Sequence, residues 1–235
     1  MKPVRMTAGV LHLTGASQDE VWPLVRAHHY SRRMPANVQA CYALRRDGGL
    51  FGDMGDIVAA AVFTLPPTRW TEPVIELARL VRVPDMQPPL SRLISFACHW
   101  LTKSGFALVV SFTDRTHGHH GGVYQAAGWR YNGLRERRMD GVILDGHFKP
   151  GRSCNSAFGT RSPDKLREIM PERQIEPHFD EGKHLYWRPL CVAGQTRAKR
   201  LGLQSLPFPK PNAARPVDEP APAGVSEVQP FGAAP

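Results

Sequence analysis

Between Val109 and Gly133 the chain reads VVSFTDRTHGHHGGVYQAAGWRYNG, and no other stretch restricts the fold as much. Ala107 to Phe112 is short, apolar and β-branched, which predicts a buried strand. Asp114, three histidines and three glycines follow within nine residues. Tyr124 to Gly128 then reads as a short helix, and Trp129 and Tyr131 as part of another strand. A buried strand that runs into a polar, Gly-rich turn and then a helix is where α/β folds place ligands. Backbone N–H groups in such a turn can also face an anion.

The rest of the chain supplies the sheet around this unit. Val10 to Thr14 predicts a first strand, and Ser17-x-x-Glu20 fits a capping box opening a helix that ends near His28. Pro23 suggests that this helix starts at Asp19, which leaves the proline in the first turn. A polar loop, His28 to Pro35, follows. Gln39–Arg46, Asp56–Leu65 and Val74–Val83 read as three strands of a meander. In the third, strict alternation puts Glu76 and Arg79 on opposite faces, so Arg79 needs another partner and is expected to line a cleft. Pro88-Pro89 opens the clearest helix, with Leu90, Leu93, Ile94, Ala97 and Leu101 on one face and Gly105 at its end. Further on, a hairpin is predicted around Asp145-Gly146, a helix from Ser162-Pro163 to before Pro171, and a last strand over His184–Trp187. From about Cys191 apolar periodicity is lost and eight of the last 45 residues are proline. This divides the chain into a domain over 1–190 and a Pro-rich flexible tail over 191–235. The element order argues for a mixed α/β sheet.

Charge narrows the partners. The chain has 30 Lys+Arg against 21 Asp+Glu, a net charge of +9. That favours a polyanion: nucleic acid first, then a phosphorylated cofactor or acidic lipid. A merely soluble basic protein fits the same number. Cys41, Cys98, Cys154 and Cys191 form no C-x-x-C pair, which excludes zinc-finger and disulfide scaffolds and points to a reducing, cytoplasmic compartment. No apolar run reaches the ~18 residues of a membrane span, and a signal-peptide core is missing from the N-terminus.

The order strand, long helix, strand, short helix from Val74 onward resembles that of Gcn5-related N-acetyltransferases, implying a GNAT-like mixed sheet flanked by helices. In that fold two adjacent strands splay, acyl-CoA lies between them, and its pyrophosphate rests on the N-terminus of the long helix. Ser91 and Arg92 would meet that phosphate here, or Ser91 merely faces water. The usual Gly-rich phosphate loop is replaced by Arg82-Val-Pro-Asp-Met-Gln-Pro-Pro. A narrower resemblance rests on HHYS at 28–31, ELARLVR at 76–82, PLSRLISFACHWL at 89–101 and SFTDRTHGHHGGVYQAAGW at 111–129, joined by FGTRSP and KHLYWRP. Together these resemble the phage Mom family over roughly residues 10–190. The resemblance implies a DNA-modification enzyme that converts adenine to its N6-carbamoylmethyl (methylcarbamoyl) derivative and so protects DNA from restriction endonucleases. It also implies acetyl-CoA and iron as cofactors.

Carried over by motif, the residues implied are Tyr30, Arg79, Ser91, Asp114 and Tyr124. Chemistry adds His29 and His119, with His29, Asp114 and His119 as candidate iron ligands. The N6 amine of adenine is a weak nucleophile because its lone pair is delocalised. Asp114 would accept its proton, or it only caps a turn. Tyr30 would stack on the base or donate its hydroxyl. Tyr124 would give a proton to a leaving thiolate, or it packs on Trp129. Plain acetyl transfer leaves an N-acetyl group, whereas the implied product is joined through a methylene carbon. An adenine inside a duplex has to be flipped to react, and Tyr30, Trp70 and Tyr131 are candidate stacking surfaces. Arg32, Arg33, Arg45, Arg46, Arg135, Arg137, Arg138 and Arg152 are candidate phosphate contacts. Two other function classes stand beside this one: an acyl-CoA-dependent N-acetyltransferase of small-molecule or protein amines, and a non-catalytic DNA-binding module.

Overall fold

The computed structural model describes residues 4–6, 9–47, 54–66, 70, 73–114 and 121–209. Two strands, β1 (Val4–Met6) and β2 (Gly9–Ala16), lead into helix α1 (Gln18–His28). The capping box forms: the Glu20 amide donates to Ser17 Oγ, and the Ser17 amide to the Glu20 carboxylate. The helix starts at Gln18, so Pro23 sits in its second turn rather than its first. Only the Asp19 carbonyl loses its helical donor there.

Strands β3 (Val38–Asp47), β4 (Met54–Thr64) and β5 (Val74–Arg82) form the expected antiparallel meander. Helix α2 (Leu90–Lys103) buries Leu93, Ile94, Ala97, Cys98 and Leu101, the stripe predicted by its spacing. Then come β6 (Leu108–Asp114), α3 (Gly122–Ala126) and β7 (Arg130–Leu134). The remaining elements are β8 (Met139–Leu144), β9 (His147–Pro150), α4 (Gly151–Phe158), α5 (Pro163–Ile169), β10 (Ile175–Phe179), β11 (Lys183–Pro189) and α6 (Val192–Arg200).

Eight strands make one sheet in the order β1-β2-β3-β4-β5-β6-β11-β7, in which only β5 and β6 run parallel. Helix α2 covers one face over Ile75, Leu77, Val109 and Tyr186, and α1 covers the other over Ala60, Val62 and Val81. The fold class is the expected α/β one, a mixed sheet flanked by helices. Between β7 and β11 the chain leaves the sheet to form a three-stranded module, β10-β8-β9, packed on α4 and α5.

The domain boundary differs from expectation. Residues 192–209 dock on the sheet, although the sequence there reads as the start of a loose tail. Ala198 is buried with Trp187 and Leu108, the Trp187 indole N–H donates to the Gln204 carbonyl at 2.7 Å, and Leu206 bridges to Tyr131. The helix was missed because it is mostly polar and needs only small residues inward. A Cβ on Gly194 would stand 1.8 Å from the Ala107 carbonyl oxygen. Residues 210–235, which hold most of the prolines, lie outside the described residues.

Candidate active site

Strands β5 and β6 pair over only three rungs, Val74–Leu108, Ile75–Val109 and Glu76–Val110. Beyond Glu76 their ladder stops. A bulge at Ala78 turns β5 away, while β6 stays paired to β11 along its whole length. The result is a gap between parallel strands whose apex lies at Leu77 and Ser111.

Ending the ladder leaves the Leu77 carbonyl without a backbone donor, and a buried carbonyl needs one. Ser111 supplies it, with Oγ 2.8 Å from Leu77 O and 2.8 Å from the Tyr124 hydroxyl. A carbonyl can only accept, so the Ser111 proton goes to Leu77 and Tyr124 donates to Ser111. Burial pushes the Tyr124 phenol up to about 12, the Ser111 bond opposing, so it is protonated at neutral pH. Its ring stacks on Tyr186 with centroids 4.8 Å apart. The Tyr186 hydroxyl and Thr113 Oγ1 are both buried, and Thr113 opposes the rise that burial gives the Tyr186 phenol. The former lies against Gly121 at the head of α3, where φ is +77° and a Cβ would come within 2.2 Å of it.

The α1 face of the gap carries the charged groups. Because Ala78 is an extra residue in the β4–β5 register, Glu76 and Arg79 share this face, contrary to strict alternation. The Arg79 guanidinium donates to Ala78 O at 2.7 Å and to Arg33 O at 3.2 Å, which ties the loop after α1 to the sheet. Burial lowers its pKa, with Tyr30 and Glu76 opposing and Arg152 reinforcing. Glu76 is half-buried and makes no hydrogen bond or ion pair within the described residues. Burial raises its pKa, outweighing the nearby cations Arg79, Lys183 and Arg152. Strict alternation gives Glu76 no role in the site. Its signal was present, a lone carboxylate at an apolar strand position, but its face was misassigned.

His29 ends α1. Its Nδ1 accepts from the Ser31 amide at 3.1 Å, so in the neutral ring the proton sits on Nε2. The ring lies 4.3 Å from that of Tyr30, which is 54% exposed. Tyr30 offers a stacking surface, whereas Trp70 and Tyr131, at 6% and 7%, are packed in the core and do not. Ser91 and Arg92 lie in the first turn of α2, which has no side-chain cap and no acidic residue. The preceding loop is braced by Arg82 on Gln87 and the Met86 carbonyl, in place of a Gly-rich turn.

The structure thus brings Tyr30, Arg79 and Tyr124 to one gap and places Ser91 and Arg92 on the first turn of the helix that follows β5. Asp114 ends β6 opposite Lys183 in register, but its side chain, together with His117 and His119, lies outside the described residues. Among the described residues no three His, Cys, Asp or Glu side chains converge on a metal position.

The site is thus a mixed sheet whose one parallel pair splays, with a phenol hydrogen-bonded at the apex and a long helix following the splayed strand. The chain belongs to the Mom protein family, whose sequence model matches residues 11–210. Its architecture is similar to several solved acetyltransferases. One is an acetyltransferase from Bacillus subtilis in complex with CoA, at 14% identity and TM-score 0.42, covering 77% of this chain and 98% of that one. Another is an N-acetyltransferase from Staphylococcus aureus, at 10% identity and TM-score 0.44, covering 77% and 99%. A third is a Gcn5-related N-acetyltransferase from Kribbella flavida, at 14% identity and TM-score 0.43, covering 76% and 97%. No curated protein matches the chain. Among the described residues, no helix is long and apolar enough to cross a membrane.

Proposed function

We propose that this chain modifies the N6 amine of adenine in double-stranded DNA, converting it to the N6-carbamoylmethyl derivative. The observation that carries the reading is the two-sided gap. The α1 face presents an aromatic ring, an arginine and an unpaired carboxylate to an incoming base. The α2 face presents a protonated phenol and an uncapped helix start to an acyl donor. Membership of the Mom family supports a DNA-modification reading.

An adenine flipped from the duplex would stack on exposed Tyr30. Glu76, held in a partly dry site, is placed to accept the N6 proton, and its raised pKa brings it closer to the working range of a general base. Asp114, at the end of the facing strand, is the second candidate for that role. Arg79 positions the Tyr30 loop and lines the gap. The donor fits an acyl-CoA: Ser91 and Arg92 on the first turn of α2, with the helix dipole behind them, would hold its phosphates, and the splay would admit its pantetheine arm. Tyr124, oriented by Ser111, would hydrogen-bond the donor's thioester; protonating a departing thiolate belongs to the acetyl-transfer alternative, because that departure gives an N-acyl amine and not the methylene–nitrogen bond of the carbamoylmethyl product. No step is assigned to iron.

The test is nucleoside mass spectrometry on plasmid DNA from cells expressing the chain. A new deoxyadenosine species, heavier by a carbamoylmethyl group in place of one hydrogen, is the expected result. Unmodified DNA with abundant folded protein would refute it. CoA-dependent acetylation of small amines would then establish the alternative, a conventional N-acetyltransferase.

A further inference from the structure

The three-stranded module beside the gap carries three side-chain pairs of opposite charge type. Arg167 pairs with Asp164, Arg173 with Asp145 and His178 with Asp140. Arg152, the second residue of α4, has no hydrogen bond or ion pair within the described residues. The same is true of the Arg33 side chain, on the loop that Arg79 anchors. These two arginines come from distant segments and line one notch. With Ser153, Ser156 and Ala157 they line an open notch of about 380 Å³. Like charges gain nothing from sharing a notch in the absence of an anion. The notch adjoins the site already described, since the charge of Arg152 is felt by both Glu76 and Arg79. It opens on the α1 side of the sheet, the side opposite α2.

We propose that this notch grips a backbone phosphate of the DNA strand next to the adenine in the gap. Two guanidiniums and two serine hydroxyls are donors suited to a phosphodiester, and guanidinium binds phosphate in a bidentate way. A flipped nucleotide stays joined to its flanking phosphates, which remain at the protein surface while the base is buried. A cationic notch beside the base slot therefore fixes strand and register without reading sequence. The inference rests on the DNA-modification reading and adds to it a particular phosphate contact.

The test is fluorescence anisotropy of a duplex oligonucleotide over a salt series, with the full chain. For Arg33→Ala/Arg152→Ala the slope of log affinity against log salt should fall by about 1 to 2. Arg152→Gln alone should lower it by about 1. Removing two exposed arginines elsewhere, Arg26→Ala/Arg200→Ala, should leave the slope unchanged. A methylphosphonate scan around the adenine should find a phosphate whose neutralisation weakens the wild type but not the double variant. Thermal denaturation checks that each variant is folded. An unchanged slope in the Arg33/Arg152 variants, while the wild type binds and modifies DNA, overturns the notch and leaves the enzyme reading intact. Loss of CoA affinity with DNA binding kept assigns the notch to the donor's phosphates, which also overturns it. A wild type that does not bind DNA at low salt overturns both readings.

Discussion

Ser111→Ala tests the apex of the gap most directly. Ser111 holds two buried groups at once, accepting from Tyr124 and donating to the Leu77 carbonyl. Truncation leaves both unsatisfied. A buried unpaired donor or acceptor costs about 1–3 kcal/mol, so the variant should lose about 2–5 kcal/mol of stability. Tyr124→Phe is milder, because Ser111 keeps its bond to Leu77 and loses only an incoming donor; about 0.5–1.5 kcal/mol is expected. The double variant distinguishes the geometry from generic damage. With Ser111 gone the Tyr124 hydroxyl is a liability, and removing it leaves only the Leu77 carbonyl without a partner. The double variant should therefore be more stable than Ser111→Ala alone by about 1 kcal/mol or more. Urea denaturation followed by tryptophan fluorescence gives each value, read from the midpoint at a constant m-value. Additive losses, with the double variant the least stable of the set, would refute the donor assignment and with it the oriented phenol.

Glu76→Gln should abolish most DNA modification, by about 10²-fold or more if Glu76 is the base. It should also raise stability at neutral pH. Burial lifts the folded pKa of Glu76 above its ordinary value of 4.5, so the native state holds the proton more tightly. Stability therefore falls as pH rises from the unfolded to the folded pKa, and the gain in thermal midpoint from Gln should vanish below about pH 4.5. The wild-type modification rate should fall with acidification through that raised pKa, measured as product per DNA by mass spectrometry. Arg79→Lys keeps the charge but not the planar fork that reaches both the Ala78 and Arg33 carbonyls. Modification should drop about tenfold or more as Tyr30 loses its support, with a stability loss of about 1–3 kcal/mol in denaturant titration. Gly194→Ala drives a methyl into the Ala107 carbonyl and should free α6 from the sheet, seen as new protease cleavage after residue 191 and a loss of about 3 kcal/mol or more.

Much of the fold was legible because its signals are local. The capping box at Ser17, the i, i+3, i+4 stripe from Leu90 and the Asp-Gly turn at 145–146 each specify a short segment by its own chemistry. Strand β10 and helices α4 and α6 were not legible. They are short or polar and are held by partners far away in sequence. Within the site, the motifs at 28–31, 76–82 and 111–129 singled out Tyr30, Arg79 and Tyr124, and the fold gathers those three. Alternation puts Glu76 on the wrong face because a single bulged residue reverses side-chain parity, and a bulge leaves no mark in composition or period. Trp70 and Tyr131 were offered as stacking surfaces because an aromatic residue reads alike whether it lines a cleft or fills a core.

What the sequence alone determined is the set of parts: a mixed α/β chain, a long amphipathic helix after the third meander strand, a buried strand running into a His- and Gly-rich turn, and the motifs of one family. Tertiary structure decided where β5 and β6 part, which face Glu76 shares with Arg79, that Ser111 rather than a neighbouring strand satisfies the Leu77 carbonyl, and that Arg33 and Arg152 line one notch. The physical reason is the same in each case. Periodicity and capping are set by neighbours within a turn or two of the chain, whereas ladder ends, orphaned carbonyls and converging charges are set by segments that meet only after the sheet has formed.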